Sequence, residues 1–442
     1  MTRTTDRSPP RRLRTLALIA LFAALIASFS QLSSAAELEA NGGGAVLESF
    51  PVAKGGDYLI VPLVVGDRTV QCVVDTGATH NFFDLELAPL LGKPLGTENA
   101  GTAGPDVKVK YYRAPPIRLG RLEADPKFDV ACHDFLSFRD GSGHRFYGVI
   151  GMATLWNRVV RIDFDQGKFE ILAPATDAEN DWGEPIPLIA RNGGTQFEVP
   201  MKIGGLERRF LLDTGCDQTT LSDSFLKDLA EQPEVRRVLE RRSMTHGGSQ
   251  ESPHFVVDEM SLGGQVIKDS VVRRSVVNKL GLKTLSRFQI VLDFPNRVMY
   301  LKPGASFGVK DQPDMSGLEF GRSARGNTIV AHVHKSEAAA RAGFREADKL
   351  LQVDGRDAAT YSIFELRELL SSEHDRRIPI VYSRSGRKYQ TTLVLNDPTK
   401  TPPTPAAQPL AAAPTAATPT VVPATRQPAP QAARTWRSGR RR

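Results

Sequence analysis

Cysteine is scarce in this chain: Cys72, Cys132 and Cys216 are the only three in 442 residues. Three thiols make no disulfide framework, and an odd number leaves at least one free. Cys72 and Cys132 sit in strand-like apolar runs, where cysteine acts as a small buried hydrophobe. Metal-ligand spacing is lacking too. There is no Cys-x-x-Cys, and His133, His144, His246 and His254 are not spaced as ligands. No metal and no other cofactor is expected. Beyond the first 36 residues no apolar run is long enough to cross a membrane. A basic body is also missing. The net charge is +7, but residues 1–36 carry +4 and residues 397–442 carry +6, which leaves 37–396 at −3. A nucleic-acid footprint should lie on the folded body, so no nucleic-acid partner is expected. Long helical periodicity is rare. The one sizeable candidate runs from Ser222 to Leu239, limited by Pro233.

The N-terminus has the layout of an export signal. Arg11, Arg12 and Arg14 precede an apolar stretch from Leu16 to Phe29, followed by Ser34-Ala35-Ala36. A charged segment, a short apolar segment and a small-x-small site imply cleavage after Ala36. The apolar stretch falls short of the ~20 residues a membrane helix needs. The reading is a signal peptide at 1–36 and an exported protein, periplasmic or secreted, with the choice between twin-arginine and general export left open.

One tripeptide occurs twice, as Asp75-Thr76-Gly77 and Asp213-Thr214-Gly215. Each closes an apolar run, Val70 to Val74 and Phe210-Leu211-Leu212. A single copy would arise by chance about one time in ten at ordinary composition; two in matching frames would be far rarer. Upstream, Tyr58 to Gly66 parallels Phe197 to Gly204. Downstream, Gly148-Val149-Ile150-Gly151 with Leu155 parallels Lys279-Leu280-Gly281 with Leu285. Each half closes on two short strands around a polar turn, Ile162 to Leu172 and Val291 to Leu301. The tripeptides are offset by 138 residues and the closing hairpins by 130. So long a period means duplicated lobes. Two carboxylates brought together share one proton, because like charges a few ångströms apart cannot both ionise. Such a pair can deprotonate a water for attack on a peptide carbonyl and protonate the leaving nitrogen.

These residues resemble the aspartic peptidases, with lobes of retropepsin-like size, over roughly 45–303. In that family an apolar-apolar-Asp-Thr-Gly loop follows a strand, and an apolar-apolar-Gly element passes beneath it. Val149-Ile150-Gly151 fits that element well and Lys279-Leu280-Gly281 less well. The resemblance implies Asp75 and Asp213 as the catalytic pair. It gives Thr76 and Thr214 the task of joining the two loops, while Gly77 and Gly215 permit close backbone approach. The second loop departs from the pattern at Cys216-Asp217, where a small residue is usual. Ala78 and Cys216 offer no good donor to the carboxylates, and Asp217 adds a like charge. Both features predict a pH optimum that is mildly acidic to neutral. The Gly-rich segments 97–105 and 245–250 are flap candidates, and whether one or both cover the cleft stays open.

After Pro303-Gly304 the pattern changes. Ser336 to Phe344, Ala347 to Gly355 and a helical Ser362 to Leu370 resemble a bacterial PDZ domain over roughly 313–396. Ala347 stands where that family usually has Gly. The resemblance maps a peptide-binding loop onto Gly317, Leu318, Glu319 and Phe320, whose amides would receive a chain-terminal carboxylate while a strand adds to the sheet edge. Residues 397–442, rich in Pro, Ala and Thr, cannot bury enough surface to order themselves.

The expected architecture is mainly β. It comprises two pseudo-twofold-related, retropepsin-like β-barrel lobes at 37–177 and 178–305, a PDZ domain at 313–396 and a disordered tail. The expected activity is that of a monomeric aspartic endopeptidase on a peptide or protein substrate, with the PDZ domain recruiting a protein C-terminus or internal strand. The alternative is a catalytically inactive, peptidase-like periplasmic PDZ binding protein, favoured by Cys216-Asp217.

Overall fold

The computed structural model describes residues 44–101, 106–174, 181–245 and 248–400, and the backbone of 420–422. The expected signal, most of the tail and the tips 102–105 and 246–247 of the two Gly-rich segments lie outside the described residues. The described chain is mainly β.

Strict alternation builds the lobes. In the strand Ile60–Val65, Val61, Leu63 and Val65 point inward. In the strand Gln196–Ile203, Phe197, Val199, Met201 and Ile203 do the same. Each strand turns back within two residues, Val65 facing Arg68 and Ile203 facing Leu206. Gly204 and Gly205 take φ of 55° and 74°, the two positive values a tight type I′ hairpin needs at its centre. The return strands, Arg68–Val74 and Leu206–Leu212, end one residue before Asp75 and Asp213.

The first lobe is a nine-stranded sheet and the second an eight-stranded one. In the second, Gln196–Ile203 also pairs with Gly248–Leu262, which closes the sheet on itself. The two closing hairpins do not stay with their own lobes. Val159–Asp163 of the first lobe pairs antiparallel with Phe288–Asp293 of the second, Arg161 facing Val291. Lys168–Leu172 and Val46–Pro51 extend this sheet on one side, Val298–Pro303 and Glu184–Pro187 on the other. The six strands form one base shared by both lobes, and one continuous apolar core runs through it from Phe50 to Leu301.

The helix expected over 222–239 is a correction. Only Asp223–Asp228 is helical, capped by Ser222, whose hydroxyl accepts from the Phe225 amide. Val235–Thr245 is instead a strand paired with Gly248–Leu262. The three β-branched and Leu positions 235, 238 and 239 gain more from cross-strand pairing than from a helix already interrupted at Pro233.

Residues 315–395 form a separate core around Phe320, Val330, Leu350, Leu366 and Tyr382. Its strands are Leu318–Arg322, Thr328–Val333, Lys349–Val353, Arg377–Arg384 and Arg387–Val394, and its helices Ala338–Arg341 and Ile363–Leu370. Ala347, at the position expected to be Gly, takes φ of 67°, a left-handed conformation that explains why glycine would suit it. Of the tail, Thr420–Val422 pairs with the edge strand Arg387–Val394.

This module is fastened to both lobes. Arg241, 8% exposed, pairs with Asp314 and with Glu337, each at 2.7 Å. Lys283 pairs with Glu368 at 2.5 Å. From the first lobe, Gly143 lies between Arg322 and Ile363, where an added Cβ would stand 3.4 Å from Arg322 Cγ. The segment after the helix Leu136–Ser142 therefore fills the gap between the strand Leu318–Arg322 and the helix Ile363–Leu370.

Breaking a fully buried ion pair from one side costs about 3–5 kcal/mol. Asp314 and Glu337 keep some water, so Arg241→Met is expected to cost on the order of 2 kcal/mol. Chemical denaturation measures the cost, and limited proteolysis should show faster cutting between 304 and 317. An unchanged midpoint and cutting rate would mean that Arg241 is not a fastening.

Candidate active site

The two Asp-Thr-Gly loops meet at the centre of the molecule. Each is held from beneath by a short parallel strand. Gly148–Ile150 pairs with Cys72 to Val74, and the Ile150 carbonyl accepts from the Asp75 amide at 2.9 Å. Lys279–Leu280 pairs with Leu211 and Leu212, and the Leu280 carbonyl accepts from the Asp213 amide at 3.1 Å. Gly148 must be small: an added Cβ would stand 2.8 Å from the Phe83 ring and 2.9 Å from Cys72 Sγ.

Thr76 and Thr214 tie the loops together reciprocally. The Thr76 amide donates to Thr214 Oγ1 and the Thr214 amide to Thr76 Oγ1, both at 3.1 Å. The Thr76 hydroxyl donates to the Leu212 carbonyl and the Thr214 hydroxyl to the Val74 carbonyl, both at 2.8 Å. Two hydroxyls and two amides are satisfied by crossing the pseudo-twofold axis, and both threonines are buried.

The glycines fix the approach of the carboxyls. A Cβ at Gly77 would stand 2.6 Å from the Asp213 carboxyl carbon, and one at Gly215 would collide with that of Asp75. Each carboxyl thus rests on the other loop's glycine. The Gly77 and Ala78 amides donate to Asp75 Oδ1 at 2.8 and 3.1 Å, and the Gly215 amide donates to Asp213 Oδ1 at 3.0 Å. The two carboxyls are thereby brought together across the axis, each against the opposite loop. Burial first, then the charge of Asp213, push the Asp75 carboxyl up to about 8, against the pull of Lys279.

The expectation about Asp217 is corrected. Its carboxylate pairs with Arg273 at 2.9 Å and lies 3.8 Å from Arg367 of the C-terminal module. Burial would raise Asp217, but Arg273 and Arg367 outweigh it and hold it below its ordinary value. Its charge is paired with those guanidiniums, and the main influences on Asp75 are burial, Asp213 and Lys279. The Cys216 thiol donates to the Gln218 carbonyl at 3.1 Å.

The loops form the floor of a cleft of about 550 Å³. The first lobe lines it with Tyr58, Phe82, Phe138 and Val149, the second with Arg191, Leu211, Arg273 and Lys279. Of the two Gly-rich hairpins, Gly96–Ala100 with Val107–Tyr112 contributes Asn99, Val107, Val109 and Tyr111 to the walls. Among the described residues the second hairpin contributes none, and it leans on the C-terminal module through Arg241 and Arg242.

The mapped peptide loop is already occupied. The Gly317 amide donates to Asp314 Oδ2 at 3.1 Å and the Leu318 amide to Ser316 Oγ at 2.9 Å, while Leu318 and Phe320 are in the module's core.

Several residues escaped the sequence reading. Asn81 Oδ1 accepts from the Gly151 amide at 3.0 Å and from the Thr154 hydroxyl at 3.1 Å. Across the axis, Thr219 Oγ1 accepts from the Gly281 amide at 3.2 Å and bonds Thr284 Oγ1 at 2.7 Å. The 138-residue offset relates Asn81 to Thr219, and the 130-residue offset relates Thr154 to Thr284. Extending those offsets to every polar residue near the loops would have found all four. Lys279 was also missed. Its ammonium stands 2.6 Å from Asp213 Oδ2, with its side chain 14% exposed.

The raised Asp75 has a consequence for stability. The folded state holds this proton more tightly than the unfolded chain between its ordinary value near 4 and about 8. The stabilisation is fully present below pH 4 and is lost as pH rises through 8. Asp75→Asn should therefore lose less Tm than the wild type between pH 5 and pH 8. Equal losses in calorimetry would contradict the assignment.

Residues 61–154 and 199–282 match the protein family described as aspartyl protease, each segment holding one Asp-Thr-Gly loop and the strand beneath it. No curated protein matches the chain. Over these two segments the chain is similar to aspartyl proteases, which supports a retropepsin-like, peptidase-type body.

Proposed function

We propose that this protein is an exported, single-chain aspartic endopeptidase in which Asp75 and Asp213 activate one water. The observation that carries the reading is the meeting of two matched loops, crossed by reciprocal threonine bonds, with each carboxyl resting on the opposite loop's glycine. A pair that holds one proton can act as base toward water and as acid toward the peptide at the same time. The reciprocal threonine bonds and the two glycines leave the carboxyls little freedom, which pre-organises the attack. Water is the nucleophile, so the proposed chemistry uses no cofactor. The cleft's apolar first-lobe wall suits a hydrophobic side chain next to the scissile bond. Cys216-Asp217, the feature favouring an inactive protein, is engaged with the Gln218 carbonyl and with Arg273, which is compatible with a working pair.

Full-length protein lacking 1–36, incubated with a mixed peptide library, should cleave peptides and be blocked by a transition-state mimic of peptide hydrolysis. Asp75→Asn and Asp213→Asn should each abolish cleavage, and the double variant should be no worse, since the two act as a unit. Retained activity in a folded Asp213→Asn enzyme would make the second loop decorative.

The C-terminal module is proposed to be a PDZ domain that recruits a protein partner. Leu318, Phe320 and Gly317 stand at the mapped loop, but an incoming carboxylate must displace Asp314 and Ser316 from the amides. An added strand must also part Gly143 from Arg322 and Ile363. Full-length Asp75→Asn protein should bind peptides with a free C-terminus at least tenfold more tightly than the same peptides amidated, measured by fluorescence anisotropy. Equal binding would leave only the internal-strand mode.

A further inference from the structure

The two strands beneath the loops are related by the same 130-residue offset as the closing hairpins, yet they differ at one place that faces the cleft. Val149 faces Val73 across the first parallel pair, and Lys279 faces Leu211 across the second. The apolar element that supports the first carboxyl is therefore matched, under the second, by an ammonium 2.6 Å from Asp213 Oδ2. Lys279 is nearly buried and Asp213 is 4% exposed in its side chain, so water screens the pair little. A lysine in such a place costs desolvation and needs a reason.

We propose that Lys279 is a positioning residue that makes the carboxyl pair asymmetric, placing the negative charge on Asp213 and the shared proton on Asp75. This rests on the peptidase reading above. The other charged groups facing Lys279 are few. Asp75 lies across the axis, Asp217 and Arg273 line the same cleft and pair with each other, and the nearby Cys216 thiol is raised by burial. None of them competes for Asp213 at ion-pair distance. Burial opposes the charge on Lys279, but Asp213, at 2.6 Å, outweighs it and holds the ammonium protonated above its ordinary range. Burial and Asp213 likewise keep the proton on Asp75.

The asymmetry assigns the steps. Asp213 takes a proton from water as the water oxygen bonds to the peptide carbonyl carbon. Asp75 gives its proton to the carbonyl oxygen, and a neutral gem-diol results. The carbon–nitrogen bond then breaks as Asp213 passes its new proton to the nitrogen and Asp75 recovers one from a diol hydroxyl. The pair returns to its starting state, and acid and amine leave. Lys279 bonds to the outer oxygen of Asp213 throughout and exchanges no proton.

Lys279→Met and Lys279→Arg test this, with the pH–rate profile on one cleaved peptide and isotope-edited titration of the Asp75 carboxyl. Without the cation the pair gains its second proton more easily. The acidic limb should move upward by one pH unit or more in Lys279→Met, with a loss of kcat/KM approaching tenfold on the acid side of the wild-type limb. The Asp75 titration midpoint should rise with it. Lys279→Arg should restore both toward the wild type. Unmoved limbs and midpoint in a folded Lys279→Met enzyme would overturn the proposal. So would greater activity at every pH, which would make Lys279 a plug on the pair. If the wild type cleaves nothing, the peptidase reading fails by itself. The Asp75 midpoint still decides whether Lys279 governs the pair's proton.

Discussion

The reciprocal exchange between Thr76 and Thr214 is the contact on which the centre of this molecule depends. Each hydroxyl accepts from the opposite loop's amide and donates to the carbonyl that ends the strand leading into that loop, at Leu212 or Val74. Both loops follow strands and have few backbone partners of their own, and a buried amide or carbonyl without a partner is costly. Each lobe therefore satisfies polar groups of the other. The carboxyls then have no choice of position, since each is pressed against the opposite glycine. The six-stranded base shared by the lobes supplies the rigidity that holds this crossing in register.

Charge within the cleft is handled by pairing. Asp217 pairs with Arg273 and Asp213 with Lys279, while burial and the charge of Asp213 raise the remaining carboxyl, Asp75. Isolated charges at such depth would be costly, whereas these are matched at hydrogen-bond distance. The result differs from the symmetric frame in which it sits. Duplicated backbones carry unequal side chains: Asn81 opposite Thr219, Val149 opposite Lys279.

The C-terminal module has its own core but not its own surface. Arg241 and Lys283 reach it from the second lobe, and the segment ending at Gly143 reaches it from the first. Arg367, on its longer helix, comes within 3.8 Å of Asp217 next to the second loop. A series of packed and charged contacts therefore joins the module to the neighbourhood of the carboxyl pair.

Local patterns by themselves determined much of this protein. Alternation at 60–65 and 196–203 named the strands, the doubled Asp-Thr-Gly and its offsets named the lobes, and Thr76, Thr214, Gly77 and Gly215 were placed by motif. The C-terminal helix over Ile363–Leu370 was equally legible, because Ser362 and Glu365 form a capping box in sequence before they form one in space. Only tertiary structure decided the rest. Residues 235–239 read as helix, yet pairing with a neighbouring strand overrode that propensity. Asp217 was read as a like charge beside the pair, because its partner Arg273 is 56 residues distant and no local pattern links them. Lys279 looked like a poor match to an apolar motif. Its meaning depends on a distance of 2.6 Å to Asp213. Short-range periodicity records which way a side chain points, whereas electrostatics depends on separation in space, which the chain acquires only when its two halves close on one another.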